Sequence, residues 1–381
     1  MRTAVCDLLG IEFPIFAFSH CRDVVAAVTR AGGLGVLGAV AYSPEQLDIA
    51  LDWLDEHVGD RPYGVDVIVP KRYVGDSAGG LRSGEVAALL PEEHRAFVDD
   101  ILERYGVADL PDAGPDGPAG TDRPMPFSSQ SAHDLLEVVW RHPKVKLIAN
   151  ALGPAPDYLV EEAHNRGLIV AGLVGKVAHA KGQKEAGVDL IIAQGSEAGG
   201  HTGEIGTMVL IPQVVDAVAP LPVLAAGGIA DGRQVAAAMA LGAAGVWCGS
   251  VWLTTDEAET HPVVKEKFLA ATSADTVRSR SKTGKPARQL RSAWTEEWDR
   301  PDTPDPLGMP LQSALVARAE ARIARSAASS EGARQLINYF VGQAVGQMNV
   351  AKPAAQVVMD MVEGYIDAAT RLSESLGAIS S

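Results

Sequence analysis

Short apolar runs recur along the chain, and each is followed by a stretch in which apolar and polar positions alternate with a helical period. Residues 13–18 precede the amphipathic stretch 23–30, residues 34–38 precede 44–57, and residues 63–69 lead into a longer passage. The series resumes with 145–150 and 156–165, 168–173 and 176–186, 189–193 and 208–218, then 222–226 and 231–241, and ends on 245–248. The apolar runs are brief, rich in β-branched residues and apolar on both faces. Strands covered on both sides by helices have that character. Eight such units predict an α/β fold, a (β/α)8 TIM barrel. A doubly wound parallel sheet alternates the same elements and is the competing architecture.

The third unit is interrupted. Residues 71–130 contain a helical piece over 84–105 and then the run PDAGPDGPAGTDRPMP, whose composition is that of turns and linkers. This reads as an insertion on the loop after strand three. Such loops lie on the catalytic face of a barrel, so a lid is one expectation and an idle excursion the other. The βα pattern also stops near residue 255. Residues 1–70 and 131–255 are therefore assigned to the barrel, 71–130 to the insertion, and 256–381 to a mainly helical C-terminal region packed on it. Within that region 314–328, 332–347 and 357–376 have helical periodicity. Trp294 and Trp298, one helical turn apart, are expected to anchor it to the barrel. Arg278, Arg280, Lys282, Lys285, Arg288 and Arg291 concentrate positive charge between them. They form either a solvated stripe or an arm reaching toward anionic substrate groups.

Charge changes the picture. Lys and Arg number 33 against 48 Asp and Glu, a net charge of −15, which disfavours nucleic acid as a partner. Any anionic ligand must then be held locally, by backbone amides or a few basic side chains. The cysteines Cys6, Cys21 and Cys248 are far apart and lack zinc spacing, so no metal site is expected and the thiols read as free. No apolar run approaches the ~18 residues that span a bilayer, and no membrane partner is expected. Cytoplasmic localisation is the default, and a homo-oligomer stays open.

Candidate chemistry concentrates in the loop Ala193-Gln194-Gly195-Ser196-Glu197-Ala198-Gly199-Gly200-His201-Thr202-Gly203, at the carboxyl end of the sixth strand. Glycines let backbone amides approach a flat or anionic ligand, while the amide, carboxylate and imidazole can fix it and handle a proton. His201 is the acid/base candidate, and the alternative is a structural histidine. Glu197 is read as either a site group or a tie within its own loop. Strands seven and eight each run into glycine, at Gly227-Gly228 and at Gly249-Ser250, where barrels commonly build a phosphate site. Gly33-Leu34-Gly35-Val36-Leu37-Gly38 matches a dinucleotide fingerprint, but its glycines sit within the strand itself, and it reads as a tightly packed strand.

These residues carry a resemblance. AQGSEAGGHTG, VLAAGGIADGRQVAAAMALGAAGVWCGSVWL, FPIFAF, AGGLGVLGA, PYGVDV and TGKPAR together resemble the nitronate monooxygenase (2-nitropropane dioxygenase) family over residues 10–70 and 140–295. The resemblance implies an FMN-binding TIM barrel, a class that includes nitronate monooxygenases, NADH:quinone reductases and an enoyl-thioester reductase. It implies that Gly227, Gly228, Gly249 and Ser250 hold the FMN phosphate. It likewise implies that Gln194, backed by Gly199 and Gly200, faces the flavin, and that Ala17 and Phe18 lie along its ring. Asp66 stands where the family usually has Asn, so that a carboxylate there accepts from flavin N3–H without donating.

One departure bears on the reaction. The family's catalytic histidine follows strand four, where this chain reads Ala149-Asn150-Ala151-Leu152-Gly153-Pro154. Without that base, oxidation of neutral nitroalkanes is expected to be poor, and His201 remains for proton handling. The expected activity is oxidation of alkyl nitronates by O2. The alternative is an NAD(P)H-dependent flavin reductase or dehydrogenase acting on an enoyl-thioester (CoA-type) or quinone, which the basic run slightly favours. Outside flavin chemistry, a lyase or isomerase for a phosphorylated substrate would use the same phosphate cradle but would need a carboxylate pair or lysine. A barrel that binds without turnover is the remaining rival.

Overall fold

In the computed structural model, which describes residues 1–69, 83–109, 129–151 and 153–377, the eight expected strands pair in parallel and close on themselves. They are β1 (Ile15–Ser19), β2 (Leu34–Gly38), β3 (Tyr63–Asp66), β4 (Val145–Asn150), β5 (Ile169–Val174), β6 (Leu190–Gln194), β8 (Val223–Ala226) and β9 (Gly245–Cys248). A short strand, β7 (Gly200–His201), lies outside the barrel in the loop after β6. Closure comes from β9 pairing with β1, with Val246 opposite Ile15 and Cys248 opposite Ala17. A doubly wound sheet has two open edges and is thereby excluded.

The period of two along each strand builds two cores. Phe16, Val36, Leu147, Ala171, Ile192, Leu224 and Trp247 point inward and fill the barrel, while Ile15, Leu37, Val65, Ile148, Val170 and Val246 face the surrounding helices. Val5, Cys6 and Leu9 of the helix Ala4–Leu9 join the inner cluster and plug its amino end. The fingerprint-like glycines serve packing: a Cβ on Gly35 would lie 2.3 Å from the Val25 carbonyl oxygen of the helix Arg22–Arg30. Three free cysteines are all buried. Among the described residues no helix is long and apolar enough to cross a membrane.

Three expectations outside the barrel need correction. The helical piece 84–105 is two helices, Ser83–Ala88 and Glu92–Arg104, and Pro91 caps the second. The Pro/Gly-rich run 111–126 lies outside the described residues. The basic run is folded rather than a solvated stripe: β10 (Thr276–Ser279) and β11 (Ala287–Leu290) form an antiparallel hairpin that adds β7 as a third strand, and Lys282 and Lys285 of its turn reach the barrel mouth. The single helix expected over 332–347 is the helix Glu331–Leu336, an extended segment that bridges β11 at Phe340, and a 3-10 turn, Gln343–Gln347. Asn338 explains the break, because its amide donates to Gln289 Oε1, the Leu290 carbonyl and Ser292 Oγ. A buried tertiary hydrogen-bond set outweighs helical propensity there.

Trp294 and Trp298 are 1% and 4% exposed. Trp298 meets Phe97 of the helix Glu92–Arg104 edge-on at 4.9 Å, and Arg104 makes two 2.8 Å bonds to Glu297. These described insertion helices thus dock on the C-terminal region. The helix Ala354–Gly377 packs on the helix Gly232–Ala240 so closely that a Cβ on Gly232 would lie 2.2 Å from Tyr365 N.

Candidate active site at the carboxyl mouth of the barrel

A cavity of about 1510 Å³ opens at the carboxyl ends of the strands. Phe18, Asp66, Gln194, Gly199, Gly200, His201, Gly227, Gly228, Gly249 and Ser250 all line it. Ala17 does not: strand alternation turns it outward into the helix-facing core, fully buried, so its expected place beside the ligand is corrected.

Beyond β8 the backbone turns through two consecutive left-handed glycines, Gly227 (φ 106°) and Gly228 (φ 72°). The helix that follows is fixed by a capping box between Asp231 and Gln234, and Gln234 Nε2 also donates to the Gly228 carbonyl at 2.6 Å. This leaves the Gly228 and Ile229 amides without a partner among the described residues, in a turn with an anion site's geometry. Beside it, a Cβ on Gly249 would meet nothing nearer than Phe18 at 3.9 Å, so there is room over that backbone. Ser250 Oγ accepts from Gly342 N at 2.8 Å, which brings the C-terminal segment to the edge of the cradle. The donor set, glycine backbone and one hydroxyl, suits a phosphate.

Glu197 is not such a free group. Its carboxylate accepts from Thr207 N at 3.0 and 2.9 Å and caps the helix Thr207–Val218, so it ties down its own loop. With Glu197 committed, it forms no carboxylate pair with Asp66, one of the two arrangements a flavin-free lyase or isomerase could use.

His201 lies on β7 opposite Ala287, with Nε2 2.8 Å from Thr283 Oγ1. Burial, helped by the Lys285 charge, lowers its pKa to about 4, so the ring is neutral at pH 7. Asp66 ends β3 with its side chain on the inner face, 6% exposed, and burial raises its pKa to about 7. Phe18 and Trp247 stack at 6.1 Å beside it. His20 also lines the cavity, its Nδ1 2.9 Å from the Gly38 carbonyl oxygen and its ring edge-on to Phe18.

At the end of β4 the structure shows why Asn150 cannot take the role of a base. It points outward, fully buried, and its Oδ1 accepts from Val69 N at 2.8 Å. Ala151 is what reaches the cavity.

The basic residues are mostly spent internally. Arg288, 9% exposed, donates to the Ser196 carbonyl at 2.9 Å and to Thr276 Oγ1 at 3.1 Å. Arg278 donates to the Thr202 carbonyl at 3.3 Å, Arg280 to the Gly284 and Pro306 carbonyls, and Lys282 pairs with Glu320. The hairpin therefore clamps the glycine loop. Lys176 and Lys285 also line the cavity, together with Glu204 and Glu259. Sequence reasoning missed the far wall, built by Trp294, Tyr339 and Phe340, because no local pattern announces that a C-terminal segment returns to the barrel mouth.

A profile of the nitronate monooxygenase family matches residues 2–364. A Mycobacterium tuberculosis protein named "Putative monooxygenase Rv1533" is 60% identical, covering 98% of each chain. Among solved structures, a nitroalkane oxidase from Streptomyces ansochromogenes superposes with a TM-score of 0.78 at 27% identity, covering 97% of this chain and 100% of that one. FabK from Thermotoga maritima superposes at 0.72 and 30% identity, covering 98% and 99%. Barrel, glycine cradle and family match agree, and the chain belongs to the nitronate monooxygenase family of flavin oxidoreductases.

Proposed function

We propose that this protein is an FMN-dependent oxidoreductase that oxidises alkyl nitronates, taken up already ionised, with O2 as electron acceptor. The observation that carries the choice of the ionised substrate is the end of β4, where Ala149, Asn150 and Ala151 place no titratable side chain at the cavity. His201 is held neutral by a pKa near 4 and is a weak base for a carbon acid. A substrate that arrives as an anion needs no base.

In this reading Gly228, Ile229, Gly249 and Ser250 hold the phosphate, Gln194 and Asp66 face the ring edge, and Phe18 flanks the ring. Bound FMN supplies the electron transfer; the protein supplies position, electrostatics and exclusion of water. The test is oxygen uptake by flavin-loaded protein given one nitroalkane, either pre-equilibrated as nitronate or freshly added neutral. Turnover of the nitronate at least ~10²-fold faster is expected, the range of a missing general base. Equal rates would show that a base is present and overturn the reading.

The cavity supports a second reading, reduction of an enoyl-thioester by NAD(P)H, because about 1510 Å³ leaves room for a large substrate beside the FMN, against ~300–1,000 Å³ for an ordinary small-molecule site. Likeness to FabK supports it too. Anaerobic bleaching of the flavin by NAD(P)H, followed by reoxidation with an enoyl-CoA, would favour this reaction over the first.

A further inference from the structure

The top inward row of the barrel carries two polar side chains, Asp66 on β3 and Gln194 on β6, among Phe18, Gly38, Leu173 and Trp247. Neither has a hydrogen-bond partner for its side chain among the described residues, and both line the cavity. A nearly buried carboxyl without a donor is costly as an anion. No group among the described residues relieves that cost. On the β2 side His20 is held on the Gly38 carbonyl, and on the β4 side Asn150 serves Val69 N. Lys176, Glu204 and, on the helix Val177–Glu185, His179 line the cavity from the segments after β5 and β6, His201 from β7, Lys282 and Lys285 from the turn between β10 and β11, and Cys21, Glu259, His261 and Glu320 from its other sides. None of them alters the ionisation of Asp66, which burial alone governs.

A ring entering this mouth removes the remaining water. The pyrimidine edge of a flavin alternates carbonyl and N–H groups, so a partner that both donates and accepts satisfies two adjacent groups, where an acceptor alone satisfies only N3–H. A carboxylate only accepts; a carboxylic acid does both. Resting on the flavin reading above, we propose that Asp66 engages the flavin as the neutral acid, so that FMN binding consumes a proton wherever the free protein holds the carboxylate. The balance is one carboxylate, one proton and one FMN giving one complex with a carboxylic acid. The free carboxyl titrates at about 7, so the coupling falls in the neutral range.

The test measures FMN affinity of flavin-stripped protein by quenching of flavin fluorescence between pH 5.5 and 9, for the wild type and Asp66→Asn. The FMN phosphate titrates equally in both series, so their ratio reads Asp66. Below about pH 7 the ratio is flat; above it the wild type weakens relative to the variant by about tenfold per pH unit. A ratio that is flat throughout, or that turns in favour of the wild type as pH rises, overturns the proposal. Calorimetry of the wild type alone, at pH 8 in buffers of different ionisation enthalpy, gives a second reading. Uptake of nearly one proton per FMN is expected, and none overturns the proposal even if the variant does not fold. Absence of FMN binding at every pH would instead remove the flavin reading itself, and this proposal with it.

Discussion

His201 differs from a surface imidazole because β7 and the hairpin enclose it and Lys285 adds like charge. Its folded pKa of about 4 lies below the ordinary 6.5, so between those values the folded state binds fewer protons than the unfolded one. The stability this confers is present above pH ~6.5 and is lost as pH falls toward 4. His201→Gln, which keeps a hydrogen-bonding group but does not titrate, should flatten acid destabilisation; urea midpoints at pH 7 and pH 4.5 check this. His201→Ala should leave nitronate turnover within a few-fold of the wild type, because an ionised substrate needs no base; a loss of about 10²-fold in steady-state kinetics would show that the ring moves a proton. Gly228 is constrained differently. Its φ of 72° strains any L side chain, and a Cβ would also press on Glu197 at 3.1 Å. Gly228→Asp adds a negative charge at the proposed phosphate cradle and should abolish FMN retention, read as loss of flavin absorbance in purified protein with the fold retained by circular dichroism. Full flavin content would remove the cradle.

At the scale of elements, the barrel strands were legible because each carries its burial signal within a few residues. The runs at 34–38, 145–150 and 245–248 coincide with β2, β4 and β9. Pro44–His57 was equally plain, with Ser43 and Gln46 forming a capping box around a proline start. The hairpin was not, since arginine at alternate positions reads as solvated surface. Arg288 nonetheless lies under the Ser196 carbonyl, its charge desolvated and its pKa lowered by burial. Arg288→Met keeps the aliphatic packing but leaves that carbonyl and Thr276 Oγ1 without their donor. A loss of ~1–3 kcal/mol is expected, together with faster hydrogen exchange over residues 195–203. Exchange unchanged in that loop would mean that β7 is held without the clamp.

At the scale of the whole molecule, the cavity belongs to no single segment. Its floor comes from the barrel strands, one side from the glycine loop after β6, and its far wall from the C-terminal segment at Tyr339 and Phe340. Gly342 N on Ser250 Oγ and the close approach of Gly199 to Gly342 join these parts. The sequence by itself determined the barrel, the two glycine turns and the residues gathered at the mouth. Strand alternation and helical period are local signals, and a loop that must approach a ligand advertises its glycines. Only the tertiary structure decided that Ala17 faces the helices, that Glu197 caps a helix, that the arginines clamp a loop, and that His201 and Asp66 titrate at about 4 and about 7. Each of those properties depends on what chain distant in sequence removes from water, and burial is the sum of contacts that no local pattern contains.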